Sequence, residues 1–439
     1  MKVTKVAIVG MGTVGTGVAR LLLDHGDRTA RHAGRTLWLE KVVIRDINKK
    51  RQVDLPEGLL TEDLNEVLDN PEIKVVAQMI GGLEPARTIL LKLLESGKDI
   101  VTANKALLAE HGAELFDRAR ELGRSIAFEA AVAGGIPIIT NMSQCLSANQ
   151  LNGLQAILNG TSNFVVTQMA EKGASYDKVI QQAQELGYAE ADPTMDVDGT
   201  DAAQKLAILA HLGFGARVNW KEIARTGIDV LTQTDMKCAD HLGYRIKLLA
   251  IAQLTKEGLE LHVSPTLVKK GRPLAEVQDA NNAISVDCDA AGNLFFYGPG
   301  AGQMPTASAI VADMIDTAVG RTELTFETLK LWSKQPPRVN LREPNTLAGE
   351  FYLRLTVLEQ PGVLSQIAGT LGEHGISIKS ILQQEGLSKI ESTDGQTRKY
   401  VPIVILTHKT SEGASRQAVA AINTLKCVEQ QCIRLRVLD

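Results

Sequence analysis

Apolar and polar positions over the first third of the chain fall into a repeated rhythm. Short apolar runs at 6–9, 39–44, 75–80, 99–102 and 125–128 have the length and β-branched content of buried strands. Between them, 16–23, 84–95 and 106–122 space their apolar residues three and four apart, as amphipathic helices do. Strand and helix alternating in this way predict parallel βαβ units and an α/β, Rossmann-type doubly wound sheet. The Ala-Gly-Gly-Ile-Pro segment at 133–137 breaks the rhythm and sets a first boundary.

From about 138 to 300 the pattern is mixed, with long helices followed by strand-like runs at 259–268 and 293–297. The glycine-rich segment 298–302 then leads into a helix from about 306 to 319. Breakers and charge at 321–349, including Pro336, Pro337 and Pro344, read as a linker. Beyond it, strands at 351–358, 376–382, 400–408 and 427–437 alternate with helices at 363–374 and 412–425. That order, βαββαβ, predicts a small ferredoxin-like domain. A polar hairpin extension at 385–398 (Glu385, Lys389, Glu391, Asp394, Arg398) reads as solvated. The expected domains are 1–135, a dinucleotide-binding unit to which a helix at about 303–320 returns; 136–320, an α+β catalytic and dimerisation domain; the linker; and 350–439.

Composition adds mainly exclusions. The 44% hydrophobic and 22% charged content is that of an ordinary globular chain. A net charge of −4 without a basic run argues against nucleic acid, and no apolar run approaches the ~20 residues of a membrane helix. The N-terminus goes straight into a strand pattern, without the apolar core of a secretory leader. Cys145, Cys238, Cys288, Cys427 and Cys432 show neither Cys-x-x-Cys nor metal spacing, so a reducing, cytoplasmic setting is expected.

The candidate chemistry lies in a few segments. Gly10-Met11-Gly12-Thr13-Val14-Gly15 closes a buried strand and opens a helix, the context in which Gly-x-Gly-x-x-Gly cradles a pyrophosphate. At the end of the second strand Arg45 precedes Asp46. An arginine suits the 2′-phosphate of NADP and an acid suits the free ribose of NAD; Arg45 comes first, so NADP is favoured and NAD stays open. Thr102 and Lys105 flank the carboxyl end of another strand, where ligands of open α/β sheets bind. The glycine-rich crossing at 128–137 reads on its own as a turn with spare backbone carbonyls. Finally, Asp201 and Lys205 stand four apart at the start of an almost wholly apolar helix, after an acidic loop carrying Glu190, Asp192, Asp196 and Asp198. They form either the wall of a polar pocket or an ion pair capping a helix end.

Taken in order, these segments resemble homoserine dehydrogenases of the bacterial kind with a C-terminal ACT domain. The matching motifs are Gly-x-Gly-Thr-Val-Gly at 10–15, Thr-Ala-Asn-Lys-Ala at 102–106 and Glu-Ala-x-Val-x-Gly-Gly-Ile-Pro at 129–137. Asn-Gly-Thr-Ser-Asn-Phe at 159–164, Gly-Tyr-Ala-Glu-Ala-Asp-Pro at 187–193 and Gly-Ala-Gly-x-x-Pro-Thr-Ala at 300–307 complete them. The resemblance implies reversible NAD(P)-dependent oxidation of L-homoserine to L-aspartate 4-semialdehyde, in threonine, methionine and isoleucine biosynthesis. It implies that Glu190 and Asp201 bind the substrate amino group, with Gly187 and Asp196 beside them. Lys205, with Lys105 nearby and Asp201 tempering it, would handle the proton. Gly10, Gly12, Thr13, Val14, Gly15, Arg45, Thr102, Lys105, Gly187 and Gly302 would meet the cofactor. A sodium ion is implied at the carbonyls of Glu129, Val132, Gly134 and Ile136. The 358–364 turn (Glu359, Gly362, Val363) would hold threonine as a feedback effector, in a homodimer or homotetramer. Met195 departs from the pattern, since some relatives carry a second acid beside the position of Asp196.

Overall fold

The computed structural model describes residues 2–49, 51, 53–332, 336–383, 389–393 and 396–438. The chain forms two compact units, each assembled from separated segments. The first comprises Met1–Gly153, Ala203–Glu222 and Asn282–Asn340; the second comprises Leu154–Ala202, Ile223–Asn281 and Leu341–Asp439.

In the first unit, strands β1 (Lys2–Val9), β2 (Arg35–Val43), β3 (Leu60–Thr61), β4 (Ile73–Gln78), β5 (Asp99–Thr102) and β6 (Ile126–Ala127) form one parallel sheet. Its order is β3–β2–β1–β4–β5–β6, reversing direction at β1, which is the doubly wound arrangement the alternating pattern predicts. The central strands are nearly continuous apolar runs because helices cover both faces: Val6, Ala7, Ile8, Val75, Val76, Ala77, Ile100 and Val101 are at most 1% exposed. Helix Gln303–Ala318 packs on helix Thr13–Asp24, burying Ala307, Ile310 and Met314 among Val18, Ala19 and Leu22. A Cβ on Gly17 would lie 2.9 Å from that of Ala307, so this contact requires glycine. Helix Gly26–Ala33 is absent from the expected elements. Its polar sequence hides a short buried face of Thr29, Ala30 and Ala33.

In the second unit, strand Tyr244–Thr255, antiparallel to Gly258–Lys269, packs against helix Gly160–Lys172, on which helix Tyr176–Glu185 lies in turn. The C-terminal elements follow the expected βαββαβ order: Ala348–Leu358, Val363–Glu373, Ile378–Gln383, Gln396–Thr407, Glu412–Ile422 and Ile433–Leu438. Their core is Phe351, Leu353, Leu355, Ile367, Leu371, Ile405, Ala418 and Ile422.

Two expectations of independence do not hold. Residues 321–349 do not form a bare linker: Arg321–Leu329 is a helix whose Phe326 is buried and stacks on Phe116 at 5.2 Å. Nor is the C-terminal segment a separate bead, for strand Ile433–Leu438 pairs in parallel with Gly258–Lys269, Thr266 opposite Arg436. Within the polar hairpin, strand Lys389–Thr393 pairs with Gln396–Thr407. Glu385 and Asp394, and the side chains of Lys389, Glu391 and Arg398, lie outside the described residues. Among the described residues no helix is long and apolar enough to cross a membrane.

Candidate active site

The first unit builds a cradle for an anionic ligand at the end of β1. Gly10 has φ +100°, and its N–H donates to Val43 O at 2.9 Å, so the chain leaves the sheet edge in a turn that disfavours a side chain. A Cβ at Gly10 would lie 3.0 Å from the Met79 carbonyl carbon, and one at Gly15 would strike the Gly10 carbonyl oxygen. Gly12 differs: nothing lies within 4 Å of where its Cβ would stand, so its backbone is open to a ligand. Helix Thr13–Asp24 starts there without a side-chain cap and without an acid in its first turn. Its first N–H groups and positive end therefore suit a phosphate. Thr13 is exposed while Val14 leans on the core. Gln303 Nε2 donates to Thr13 O at 3.0 Å, which holds a second uncapped helix start, at Gly302 (φ +114°), beside the loop.

Beyond β2, Arg45 and Asp46 are both exposed. The Asp46 carboxylate accepts the Asn48 N–H at 2.9 Å, and Arg51 folds back to donate to the Asp46 and Lys49 carbonyls at 2.8 and 2.7 Å. Among the described residues this loop carries Arg45, Lys49 and Arg51, of which the sequence pattern singled out only the first.

Thr102 does not present its side chain to a ligand. It is fully buried, donates to Gln78 Oε1 at 3.0 Å and accepts the Asn104 N–H at 3.2 Å. Asn104 in turn caps helix Lys105–Glu121 through Leu107 N (3.0 Å) and donates to Ile80 O and Gly82 O at 3.0 and 2.7 Å. Thr102 and Asn104 thus fix the helix start on which Lys105, half-buried, projects.

The 129–137 crossing is held by its own carboxylate. Glu129, 4% exposed, accepts the Ile139 and Thr140 N–H groups at 2.8 Å each and the Thr140 hydroxyl at 2.5 Å. Burial still pushes its carboxyl up, and pushes that of Asp313 well up, the neighbouring Glu129 charge adding to it. Ala133 and Gly134 both have positive φ, +56° and +40°, and a Cβ at Gly134 would lie 2.6 Å from Gly300 O. The Glu129 carbonyl accepts the Val132 N–H at 3.4 Å, and that of Ile136 accepts the Ile138 N–H at 2.8 Å.

The second unit brings Asp196 and Asp201 together. Asn159, 5% exposed, donates from Nδ2 to Asp196 Oδ1 at 2.8 Å and to Asp201 Oδ2 at 2.9 Å. Its Oδ1 accepts the Ser162 N–H at 2.7 Å, capping helix Gly160–Lys172, so the amide orients both acids with no freedom left to turn. The Ser162 hydroxyl adds a bond to Asp196 O (2.7 Å) and that of Thr161 one to Tyr188 O (2.6 Å). The sequence reading gave Asn159 no role, although an Asn-Gly pair between strand and helix is a cap signal.

Gly187 (φ +75°) and Glu190 are exposed, the turn after Glu190 being pinned by Gln184 Nε2 to Glu190 O and Ala191 O at 3.2 Å each. Among the described residues none hydrogen-bonds the Glu190 carboxylate, and Asn159 does not bridge it to the Asp196–Asp201 pair. The other acids are local staples. Asp192 takes the Thr194 hydroxyl and N–H, which hold it below its ordinary value, and Asp198 takes the N–H and hydroxyl of Thr200. Helix Thr200–Phe214 then runs through Ala203, Leu206, Ile208, Leu209 and Ala210, all 0% exposed, with Asp201 4% exposed and Lys205 one turn along, half-buried.

In the C-terminal turn, Gly362 (φ +88°) opens helix Val363–Glu373 without a side-chain cap. Glu359 pairs with Lys399 at 2.6 Å, whereas the Val363 side chain is buried in the domain core and offers a ligand only its backbone.

Comparison with known proteins agrees along the whole chain. Residues 10–129 match the family profile "Homoserine dehydrogenase, NAD binding domain", 137–315 match "Homoserine dehydrogenase", and 351–426 match "ACT domain". Homoserine dehydrogenase of Pseudomonas aeruginosa is 43% identical, covering 100% of this chain and 99% of that one. The Bacillus subtilis protein of the same name is 39% identical over 98% and 97%. The crystal structure of a homoserine dehydrogenase from Thiobacillus denitrificans superposes with a TM-score of 0.90 at 40% identity, covering 100% of this chain and 99% of that one.

Proposed function

The chain belongs to the homoserine dehydrogenase family and is an NAD(P)-dependent oxidoreductase, and from that premise we propose how its residues divide the work. L-Homoserine and L-aspartate 4-semialdehyde are interconverted in the route to threonine, methionine and isoleucine. Asp201 and Glu190 hold the substrate ammonium, with Asp196 shaping the same wall. Lys205 takes the hydroxyl proton as the carbinol carbon gives up its hydride, and returns it in the reverse direction. The bound nicotinamide dinucleotide supplies the hydride acceptor. The observation that carries this reading is the Asn159 clamp: a buried amide holding Asp201 in one orientation, one helical turn from Lys205.

The open backbone at Gly12 and the uncapped helix start fit the dinucleotide pyrophosphate. Arg45, Lys49 and Arg51 supply positive charge for a 2′-phosphate, so NADP is the preferred form and NAD the alternative. The carbonyls of Glu129, Val132, Gly134 and Ile136 fit a hard monovalent cation such as sodium, because each carbonyl oxygen keeps a second lone pair beyond any N–H it accepts. Lys105, held at its helix start by Asn104, lies on the cofactor side. The test is direct: purified protein with L-homoserine should reduce NADP, and NAD more weakly, with growth of reduced-cofactor absorbance. No signal with either cofactor sinks the assignment.

Threonine binding at the 359–363 turn, in a cytoplasmic homodimer or homotetramer, completes the proposal. A free amino acid would set its carboxylate on the uncapped N–H groups after Gly362. Gly362→Asp places a like charge there and strains a positive φ. We expect the threonine concentration for half-inhibition to rise at least tenfold while kcat is retained. An unchanged threonine response would remove this turn from the effector site.

A further inference from the structure

Outside the catalytic and effector segments, the second unit contains a small cleft of about 30 Å³ whose wall includes four arginines. Arg225, Arg416, Arg434 and Arg436 all line it, with His262 and one acid, Glu412. Glu412 is 3% exposed and accepts from Arg416 Nε at 3.0 Å and from the Nη2 groups of both Arg434 and Arg436. Both of those guanidiniums lie over the ring of buried Phe351, at 4.9 and 5.5 Å, which fixes their planes and removes water from one face.

The charges do not balance. Three arginines, Arg416, Arg434 and Arg436, converge on one carboxylate. The Arg434 and Arg436 side chains are only 18% and 14% exposed, so the excess is poorly solvated. Burial lowers Arg436 from its ordinary value, and the like charge of Arg434 lowers it further against Glu412. His262, driven well down by burial and by Arg436 and Arg434, is neutral and adds no charge. Glu260, the other acid acting on Arg436, is itself paired with Arg342. Arg434 Nη1 is buried and has no hydrogen-bond partner, a donor left over after Glu412 has been served.

We propose that this cleft is a binding site for a compact oxyanion, a phosphate or a carboxylate, received by Arg434 Nη1 with Arg416 and Arg225. Its walls come from strand Gly258–Lys269, from the Ala224–Arg225 strand paired to it, and from the C-terminal domain's strand Ile433–Leu438 and helix Glu412–Ile422. An anion bound there bridges the substrate-side sheet and the C-terminal domain. It is distinct in residues from the 359–363 turn.

The test measures thermal melting of the full chain at constant ionic strength, with saturating nicotinamide dinucleotide to occupy the glycine-loop anion site. Chloride is replaced stepwise by inorganic phosphate or by succinate. Wild type should melt higher in at least one of them, and the responding anion tells phosphate from carboxylate. The double variant Arg225→Ala/Arg416→Ala, with turnover unchanged, should need at least tenfold more anion for the same shift. Equal melting in all three salts, or equal responses of variant and wild type, overturns the proposal. Selenate soaked into wild-type crystals gives an independent readout: an anomalous peak beside Arg434 Nη1 is expected, and an empty cleft contradicts the site.

Discussion

Lys205→Ala is expected to lower kcat by roughly 10²–10⁴-fold, the range for loss of a general acid–base, while the affinity for the dinucleotide stays within about twofold. Lys205 rises from a helix whose Ala203, Leu206 and Leu209 are fully buried, so the packing that holds the helix does not depend on the lysine. The pyrophosphate cradle at Gly10–Gly15 is built from other segments, which is why cofactor binding should survive. Stopped-flow turnover combined with fluorescence titration of the reduced cofactor separates the two effects. A collapse of cofactor affinity with kcat retained would assign Lys205 to the dinucleotide instead.

Asp235→Ala should destabilise the protein by about 3–5 kcal/mol, the cost of orphaning a buried ion-pair partner. Asp235 is 0% exposed and serves four donors. Oδ2 takes the Thr232 N–H and hydroxyl at 2.9 and 2.8 Å, closing the capping box of helix Gln233–His241. Oδ1 takes Tyr352 Oη at 3.1 Å and Arg354 Nε at 2.6 Å, both from strand Ala348–Leu358. Burial opposes the charge of Arg354, but Asp235 outweighs it and holds the guanidinium above its ordinary value. Burial, with the Asp235 charge added, pushes the Tyr352 hydroxyl well up, so it stays a donor. Removing the acid strands an arginine and a phenol in the interior. The paired change Asp235→Leu/Arg354→Met should recover the charge-related part of the loss, since no unpaired charge remains, but not the part owed to the Tyr352 hydroxyl and the Thr232 cap. Chemical denaturation of the single and double variants measures this; a single-variant loss below about 1 kcal/mol would mean that the pair carries little of the interface.

What could be read from the sequence was what is local. The glycine loop was legible because strand, turn and helix start are contiguous and glycine is demanded by close backbone approach at Gly10 and Gly15. The βαββαβ order was legible because each element carries its own periodicity. The Asn159 clamp was not, for Asn159 and Asp201 are 42 residues apart and nothing in either neighbourhood names the other. The helix at Arg321–Leu329 was hidden by its charge: only Phe326 is buried, and its partner Phe116 belongs to a distant helix. At Thr102 the hydroxyl is taken up by Gln78 inside the sheet, so what this residue can offer a cofactor is its backbone, a distinction its place in the motif does not reveal.

The pairing of Ile433–Leu438 with Gly258–Lys269 also has a consequence in time. Arg436 is made about 170 residues after Thr266, its partner in the sheet, which at ribosomal rates of ~5–20 residues per second is a delay of roughly 10–30 s. For that interval one edge of the 266–268 segment has no strand to receive it. A nascent chain holding an open β edge invites pairing with other chains, so the C-terminal domain closes a gap that exists from the moment the sheet begins to form during translation.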